Sequence, residues 1–580
     1  MERWLLNNQV ALYVDLVSVG IYMMYPPPAS LTLRRVLKLR LASITDKFLI
    51  SASTHPENIV NLLQRKPVAL LLLWLVLVVI SLISRSYIPI DETRYVTVAW
   101  NMWLRGDFLV PFLNGEAYSH KPPLLFWLMN IGWAVFGVND WWPRLVPSFF
   151  ALGSVFLTIR LARRLWPQDA QAAIVAPLIL LGSALWTLFT TATMFDMLIA
   201  FFTLLGLLGI LTAWYGKPFK GWILVSMAIG SGLLAKGPTI LLQILPVAIL
   251  APWWGNNESH NWKHWYSCLL GATLFGACIV LMWAIPAGLR GGEEYRHAIF
   301  WGQTAERMVN SFAHKRPIWW YLPLLPAMLF PWLLWLPVWR GLASLRQQPV
   351  EQGIRFCIAW IVPVFVAFSF ISGKQVHYLL PLFPAFALLA AHGLPQAGQS
   401  RFDQWPVGLV AIAVGAILAY LPHAGLAIFS AKGIPTWTGI AMMVAGVVLL
   451  VIHFSNMVAT VWAMTAFSAF SIVVTVYAAV IHSAGLAYDI RPLAARLKAL
   501  QDTGAPLAHV GEYYGQYQFV GRLVNEPEVL KKEQLEDWFK THPNGKAIVY
   551  FSKGDLPAGM KLDYQQPYRG LTVVVMGHNS

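Results

Sequence analysis

Apolar runs recur from residue 67 to residue 483, separated by short polar or basic turns. A helix needs roughly 20 mainly apolar residues to cross a bilayer. On that measure the pattern predicts spans near 67–84, 144–160, 169–188, 193–214, 221–236, 237–252, 267–289, 317–338, 354–370, 376–394, 405–422, 436–453 and 457–483. The stretch from Pro122 to Val138 is also apolar, but short and opened by Pro122-Pro123. It fits a helix lying in the interface. Counting it as a span would put Arg160, Arg163 and Arg164 on the side opposite Arg65 and Lys66, against the preference of basic residues for the inner side. About thirteen spans then carry the chain from an inner N-terminus to an outer C-terminus.

The pattern changes after residue 485. Charged amphipathic stretches (Arg491 to Leu500, Glu528 to His542) alternate with β-like runs (Lys546 to Ser552, Leu571 to Met576). They predict a small soluble α/β domain on the outer face. The expected plan is an N-terminal cytoplasmic or interfacial extension over 1–66, a transmembrane domain over 67–485 with outer loops 85–143 and 290–316, and the outer domain over 486–580. Within the extension, Met1 to Tyr25 is apolar but broken by Asn7, Asn8 and Asp15 and followed by three prolines. It lacks the basic leader and cleavage site of a signal peptide, and reads as an extension or as a start placed too far upstream, with a true extra span as the alternative.

Composition agrees with a membrane protein. Of 580 residues, 57% are hydrophobic and 12% charged, about half the charge of ordinary soluble domains. The net charge of +15 sits mostly at span ends and in polar loops, where it suits headgroups and orientation and not nucleic acid. The 28 tryptophans suit the membrane interface. Cys268, Cys278 and Cys357 fall inside apolar runs and read as small hydrophobes.

Unusual polar residues converge on the outer side of this threading. Asp91, Glu92, Arg94, Tyr95, Glu116, His120 and Lys121 lie in the first loop, with Arg144 just after it. Asp196 and Lys236 stand at the outer ends of their spans. His297, Arg307 and His314 lie in the second loop, and Lys374, His377 and Tyr378 in a tight turn. Charge near apolar segments is expensive and marks function. Asp91-Glu92 also fits a helix N-terminus, and Lys121, Lys236 and Lys374 fit interfacial anchors. The functional reading joins two chemistries. Arg94, Lys121, Lys236, Arg307 and Lys374, with Tyr378, would hold a lipid-linked phosphate. Asp91 first, and Asp196 second, would supply a carboxylate at the reacting sugar carbon. Glu92, Tyr95 and His377 would support them. A divalent metal is left open, with Glu116, His120, His297 and His314 as weak candidates, because no pair has a metal-motif spacing. No phosphate-binding glycine loop is present, so the donor would arrive already activated on a lipid.

At these residues the sequence resembles the GT-C glycosyltransferases of the protein mannosyltransferase superfamily. It is more narrowly similar to the bacterial 4-amino-4-deoxy-L-arabinose transferases that modify lipid A. The likeness is carried by Asp91-Glu-Thr-Arg-Tyr95, His120-Lys-Pro-Pro-Leu124 with Trp127, Trp142-Pro-Arg-Leu-Val-Pro147, Phe195-Asp196, Leu234-Ala-Lys-Gly-Pro238 and Ser372-Gly-Lys-Gln-Val-His-Tyr-Leu-Leu-Pro381. The resemblance implies inverting transfer from an undecaprenyl phosphate-linked sugar, with Asp91 as the first-loop aspartate, Lys121 touching phosphate and Arg94 beside it. It further implies a lipid A or other envelope acceptor, a monomer in the bacterial inner membrane with its site facing the periplasm, and resistance to polymyxin. His120 stands where an acidic residue is expected, which puts a metal role there in doubt. The alternatives are the same chemistry on a protein or glycan acceptor, and a secondary transporter. The latter would show inverted repeats and charge at the midplane, which the sequence lacks.

Overall fold

The computed structural model describes residues 66–255, 261–301, 316–346, 351–423, 433–454, 456–552 and 560–578. The chain divides into two units, residues 1–70 and 71–580. Of the first unit only the last few residues are described, in the opening turn of a helix that runs Lys66–Ser84. The second holds everything below.

Among the described residues, eight helices are long and apolar enough to cross a membrane. Shorter apolar helices at Val68–Ser84, Ala170–Leu181, Thr239–Ile249 and Thr436–Val451 fall inside four more expected spans. Several expected spans are broken, and each break has a chemical cause. The run 169–188 divides at Gly182-Ser183 into Ala170–Leu181 and Ala184–Phe189. The run 376–394 opens as a 3-10 helix, Val376–Leu382, before Phe383–Gly393, because Pro381 and Pro384 each lack the N–H an α-helix needs. The run 317–338 is not one helix. It consists of turns, a 3-10 turn at Leu322–Leu324, a short helix Leu325–Met328 and a helix starting at Leu336, since Pro317, Pro323, Pro326, Pro331 and Pro337 interrupt any ladder. The last span continues from Met457–Ile472 into a wider π-turn stretch, Val473–Ile481.

The stretch after the paired prolines forms a helix, Leu124–Phe136, of 13 residues, about 20 Å long. Lys121, just before it, is within electrostatic reach of Asp196. Beyond its other end, the Asp140 carbonyl accepts from the Tyr87 hydroxyl at 2.6 Å, and the Asp140 carboxylate meets Arg522 at 3.1 Å. The helix is shorter than the roughly 20 residues a bilayer crossing needs.

The tail folds as expected in class, with more strands than the sequence revealed. Five strands lie in the order Glu528–Leu530, Leu507–Val510, Lys546–Phe551, Leu571–His578, Met560–Tyr568. The first three are mutually parallel and the last two pairings antiparallel. Side chains alternate across a strand, so Val573 and Val575 pack under helix Arg491–Asp502 while Val574 and Met576 pack under helix Leu535–Thr541. The stretch Glu528 to His542 begins as an edge strand, passes through a 3-10 turn at Lys532–Gln534 and becomes α-helical from Leu535.

This lobe is joined to the first loop. Thr97 Oγ1 donates to the Gly515 carbonyl at 2.7 Å, Trp100 Nε1 to the Leu523 carbonyl at 3.0 Å, and Asn101 Nδ2 to Glu526 at 2.6 Å. The Trp133 ring stacks on Phe519 at 5.0 Å. Helix Asp91–Arg105 is therefore buried between the bundle and the lobe.

Candidate functional site

Helix ends build the site. Helix Asp91–Arg105 begins with two acids and closes on Gly106 in the left-handed region, which suits its dipole and its C-cap. Helices Asp196–Trp214 and Pro218–Lys236 have 19 residues each and a short connection. Equal lengths in a helical hairpin return the chain to its starting level. The acid in the first turn of one helix therefore meets the cation in the last turn of the other. Lys236 Nζ donates to Asp196 at 2.5 Å, with side chains 13% and 4% exposed.

His377 is the hub. It is buried, and the charges of Asp196, Lys236, Asp91 and Lys121 all reach its ring. The ring lies against Phe189 at 5.4 Å and edge-on to Tyr378 at 4.9 Å. Lys236 Nζ also stands 4.9 Å from the Tyr378 ring centroid, a cation–π contact. Tyr95 packs edge-on against Phe195 at 4.9 Å, linking the first-loop helix to the residue before Asp196. Arg94 pairs with Asp91 and lies 5.4 Å from the Tyr95 ring.

Adjacent acids have opposite surroundings. The Asp91 side chain is 47% exposed, so it is open to a ligand. Glu92 is buried and bound to Arg85 at 2.5 and 3.0 Å. Counting Arg94, Lys121 and Lys236 against Asp91 and Asp196, the described cluster carries one surplus positive charge. It is suited to an anion.

The remaining candidates fare differently. Lys374 is turned away: its ammonium donates to the carbonyls of Arg316 at 3.0 Å and Ile371 at 2.6 Å, capping the end of helix Gln352–Phe370. Arg307 and His314 lie outside the described residues. Glu116 and His120 are exposed on the hairpin and loop before the surface helix, and His297 is exposed on a separate short helix. Among the described residues no group of three or more His, Cys, Asp or Glu side chains is placed to hold a metal.

Sequence reasoning missed Arg85, which takes up the Glu92 charge, and Tyr118, a buried neighbour of Arg94. A signal existed for the first: an arginine at the end of a span, seven residues before an acid. Tyr118 had none beyond its place before His120-Lys121.

The family model described as dolichyl-phosphate-mannose-protein mannosyltransferase matches residues 120–283. An undecaprenyl phosphate-alpha-4-amino-4-deoxy-L-arabinose arabinosyl transferase of Erwinia tasmaniensis is 31% identical over 345 residues, 57% of this chain and 59% of the relative. The Pseudomonas aeruginosa (strain UCBPP-PA14) protein of that name is 32% identical over 325 residues, 53% of this chain and 56% of its own. The chain thus spans a little under three-fifths of the curated relatives it matches. The crystal structure of ArnT from Cupriavidus metallidurans bound to undecaprenyl phosphate superposes with a TM-score of 0.67 at 20% identity, covering 88% of this chain and 97% of that one. Its apo structure gives the same TM-score, 0.67. The fold is that of a polytopic membrane protein with a small α/β lobe, shared with the Cupriavidus metallidurans ArnT.

Proposed function

We propose that this protein is an inverting glycosyltransferase that moves 4-amino-4-deoxy-L-arabinose from undecaprenyl phosphate to a phosphate of lipid A. It would work at the periplasmic face of the bacterial inner membrane and protect the cell against polymyxin and similar cationic peptides. The observation that carries this reading is the convergence of two carboxylates and two lysines, from four separate segments, around the His377 imidazole. The names of the similar transferases narrow the sugar and its carrier, and the undecaprenyl phosphate-bound ArnT shows that this fold accommodates such a lipid.

The chemistry is a displacement at the anomeric carbon. Lys121, Lys236 and Arg94 hold the phosphodiester of the donor, neutralising charge that grows on the phosphate as it departs. An oxygen of the acceptor phosphate attacks C1 from the opposite face. The bond from C1 to the carrier phosphate breaks, its electron pair leaves with undecaprenyl phosphate, and the configuration inverts. The acceptor oxygen is already ionised, so no base has to remove a proton. We assign Asp91 to orienting the reactants and steadying positive charge at C1, because it is the accessible carboxylate of the pair. Asp196, enclosed and tied to Lys236, organises the phosphate-binding lysine.

Asp91→Asn tests the assignment. With purified protein, lipid-linked aminoarabinose and lipid A, transfer followed by mass spectrometry of lipid A should fall at least about a hundredfold, the scale of losing one preorganised electrostatic group. The melting temperature in detergent should hold. Near-normal turnover in the variant would remove Asp91 from the mechanism, and absence of an aminoarabinose adduct with the unaltered protein would remove the reaction itself.

A further inference from the structure

Glu92 follows Asp91 directly, yet nothing about its surroundings fits a group that meets substrate. An ionised carboxylate offers about four acceptor positions, and all four are filled. One oxygen accepts from Arg85 Nη1 at 2.5 Å and from the Ile88 amide at 2.7 Å. The other accepts from Arg85 Nη2 at 3.0 Å and from the Thr193 amide at 2.6 Å. Its side chain is 5% exposed and that of Arg85 is 3% exposed.

The two backbone amides are informative. Ile88 lies in the turn leading into helix Asp91–Arg105, and Thr193 in the turn leading into helix Asp196–Trp214. These are the helices whose first residues are the candidate carboxylates. Arg85 adds a third strap by donating to the Thr191 carbonyl at 2.6 Å. The Thr191 hydroxyl meets the Tyr477 hydroxyl at 2.6 Å, on the π-turn stretch of the last span. Such widened turns recur at functional sites.

We propose that Glu92 is a positioning residue: its buried carboxylate, neutralised by Arg85, ties together the two turns that launch Asp91 and Asp196 and so fixes one carboxylate relative to the other. The proposal rests on the transferase reading above and deepens it. A buried ion pair is often replaceable by neutral groups without loss of stability, so stability alone does not account for this arrangement. What neutral side chains cannot reproduce is a charged acceptor that draws two separate amides onto one carboxylate. Displacing a reactive group by about 1 Å costs on the order of a hundredfold in rate.

Two variants separate positioning from mere support. Arg85→Met with Glu92→Gln removes both charges together and leaves no buried ion without a partner. Glu92→Asp keeps the charge but draws the carboxylate back by one methylene. Each should melt within a few degrees of the unaltered protein and keep its donor KM within about threefold. For each, kcat should fall at least about tenfold. Undiminished kcat in either folded variant overturns the positioning role. Transfer by the unaltered protein in the same assay tells the two failures apart: none at all counts against the proposed reaction, whereas transfer with no loss in the variants counts against the clamp. Hydrogen exchange of a peptide covering Thr193 tests the clamp without the reaction. Its amide should be protected in the unaltered protein and exchange faster in both variants; equal protection overturns the proposal.

Discussion

Two neighbouring acids, Asp91 and Glu92, show how position within one helical turn decides chemistry. One side chain is open and the other is saturated with donors. The Asp196–Lys236 pair obeys the same electrostatics in reverse, since each partner is tolerable in the bundle only because of the other. Asp196→Asn should strand the lysine and destabilise the protein by about 3 kcal/mol, read as a lowered melting temperature in detergent. Adding Lys236→Met should recover most of that stability and none of the transfer; an unchanged melting temperature in the single variant would show that the pair is not enclosed. In the α/β lobe, burial among Tyr513, Tyr517 and Tyr550 lowers the proton affinity of His509 from 6.5 to about 4. Above pH 6.5 the ring is neutral in both folded and unfolded chains. Between 6.5 and 4 only the unfolded chain takes up the proton, so stability falls as pH falls, by up to about 3 kcal/mol. Hydrogen exchange in strand Leu507–Val510 should accelerate across that window, and His509→Gln should flatten the dependence.

At the scale of elements, the surface helix Leu124–Phe136 decides the topology. We propose that it lies in the interface with both ends on one side of the membrane; Lys121 at its start is within electrostatic reach of Asp196. In a variant lacking Cys268, Cys278 and Cys357, single cysteines at Ser119 and Asp140 should both react with an impermeant maleimide added to the outer side of spheroplasts. Labelling of one from outside and the other only after permeabilisation would make the helix a span. The hairpin Trp405–Tyr420 and Thr436–Val451 shows a different device. Gly415 and Gly439 let the two backbones approach until an added Cβ on either would stand 2.6 or 2.4 Å from the other's carbonyl oxygen, the small-residue packing that membrane helices use in place of a hydrophobic driving force.

Across the whole molecule, the α/β lobe and the helix Asp91–Arg105 are joined by hydrogen bonds, and Gly515 lies at their seam. Its φ of +68° places it in the left-handed region, and an added Cβ would stand 2.6 Å from Thr97 Cγ2 and 2.9 Å from Leu113 Cδ1. Gly515→Ala should therefore cost about 1–3 kcal/mol from the backbone and the clash together. The expected result is faster proteolysis between Gly511 and Glu526 and reduced transfer, because Thr97 lies on the same helix as Asp91 and Arg94. Unaltered proteolysis and transfer would mean that the lobe sits on the loop without constraining it.

The sequence by itself determined the membrane class and the α/β class of the tail, and it named residues that the fold then brings near one another. Hydrophobic length and charge placement are properties of consecutive residues, and the cost of charge near lipid singles out Asp91, Lys121, Asp196 and Lys236 before any fold is known. It also marked Lys374 on the same ground, and the structure places that ammonium on backbone carbonyls. A lysine at a helix end answers to nearby carbonyls as readily as to a ligand, and only the placement of Arg316 and Ile371 distinguishes the two. The 317–338 segment misled because mean hydropathy counts a proline-rich stretch as apolar while the backbone cannot complete a helix through it. Tertiary structure alone decided that Glu92 is occupied and Asp91 open, and that His377 stands among four charges. These are distances between segments up to several hundred residues apart, and they follow from helix hairpins returning to a common level, which no local pattern encodes.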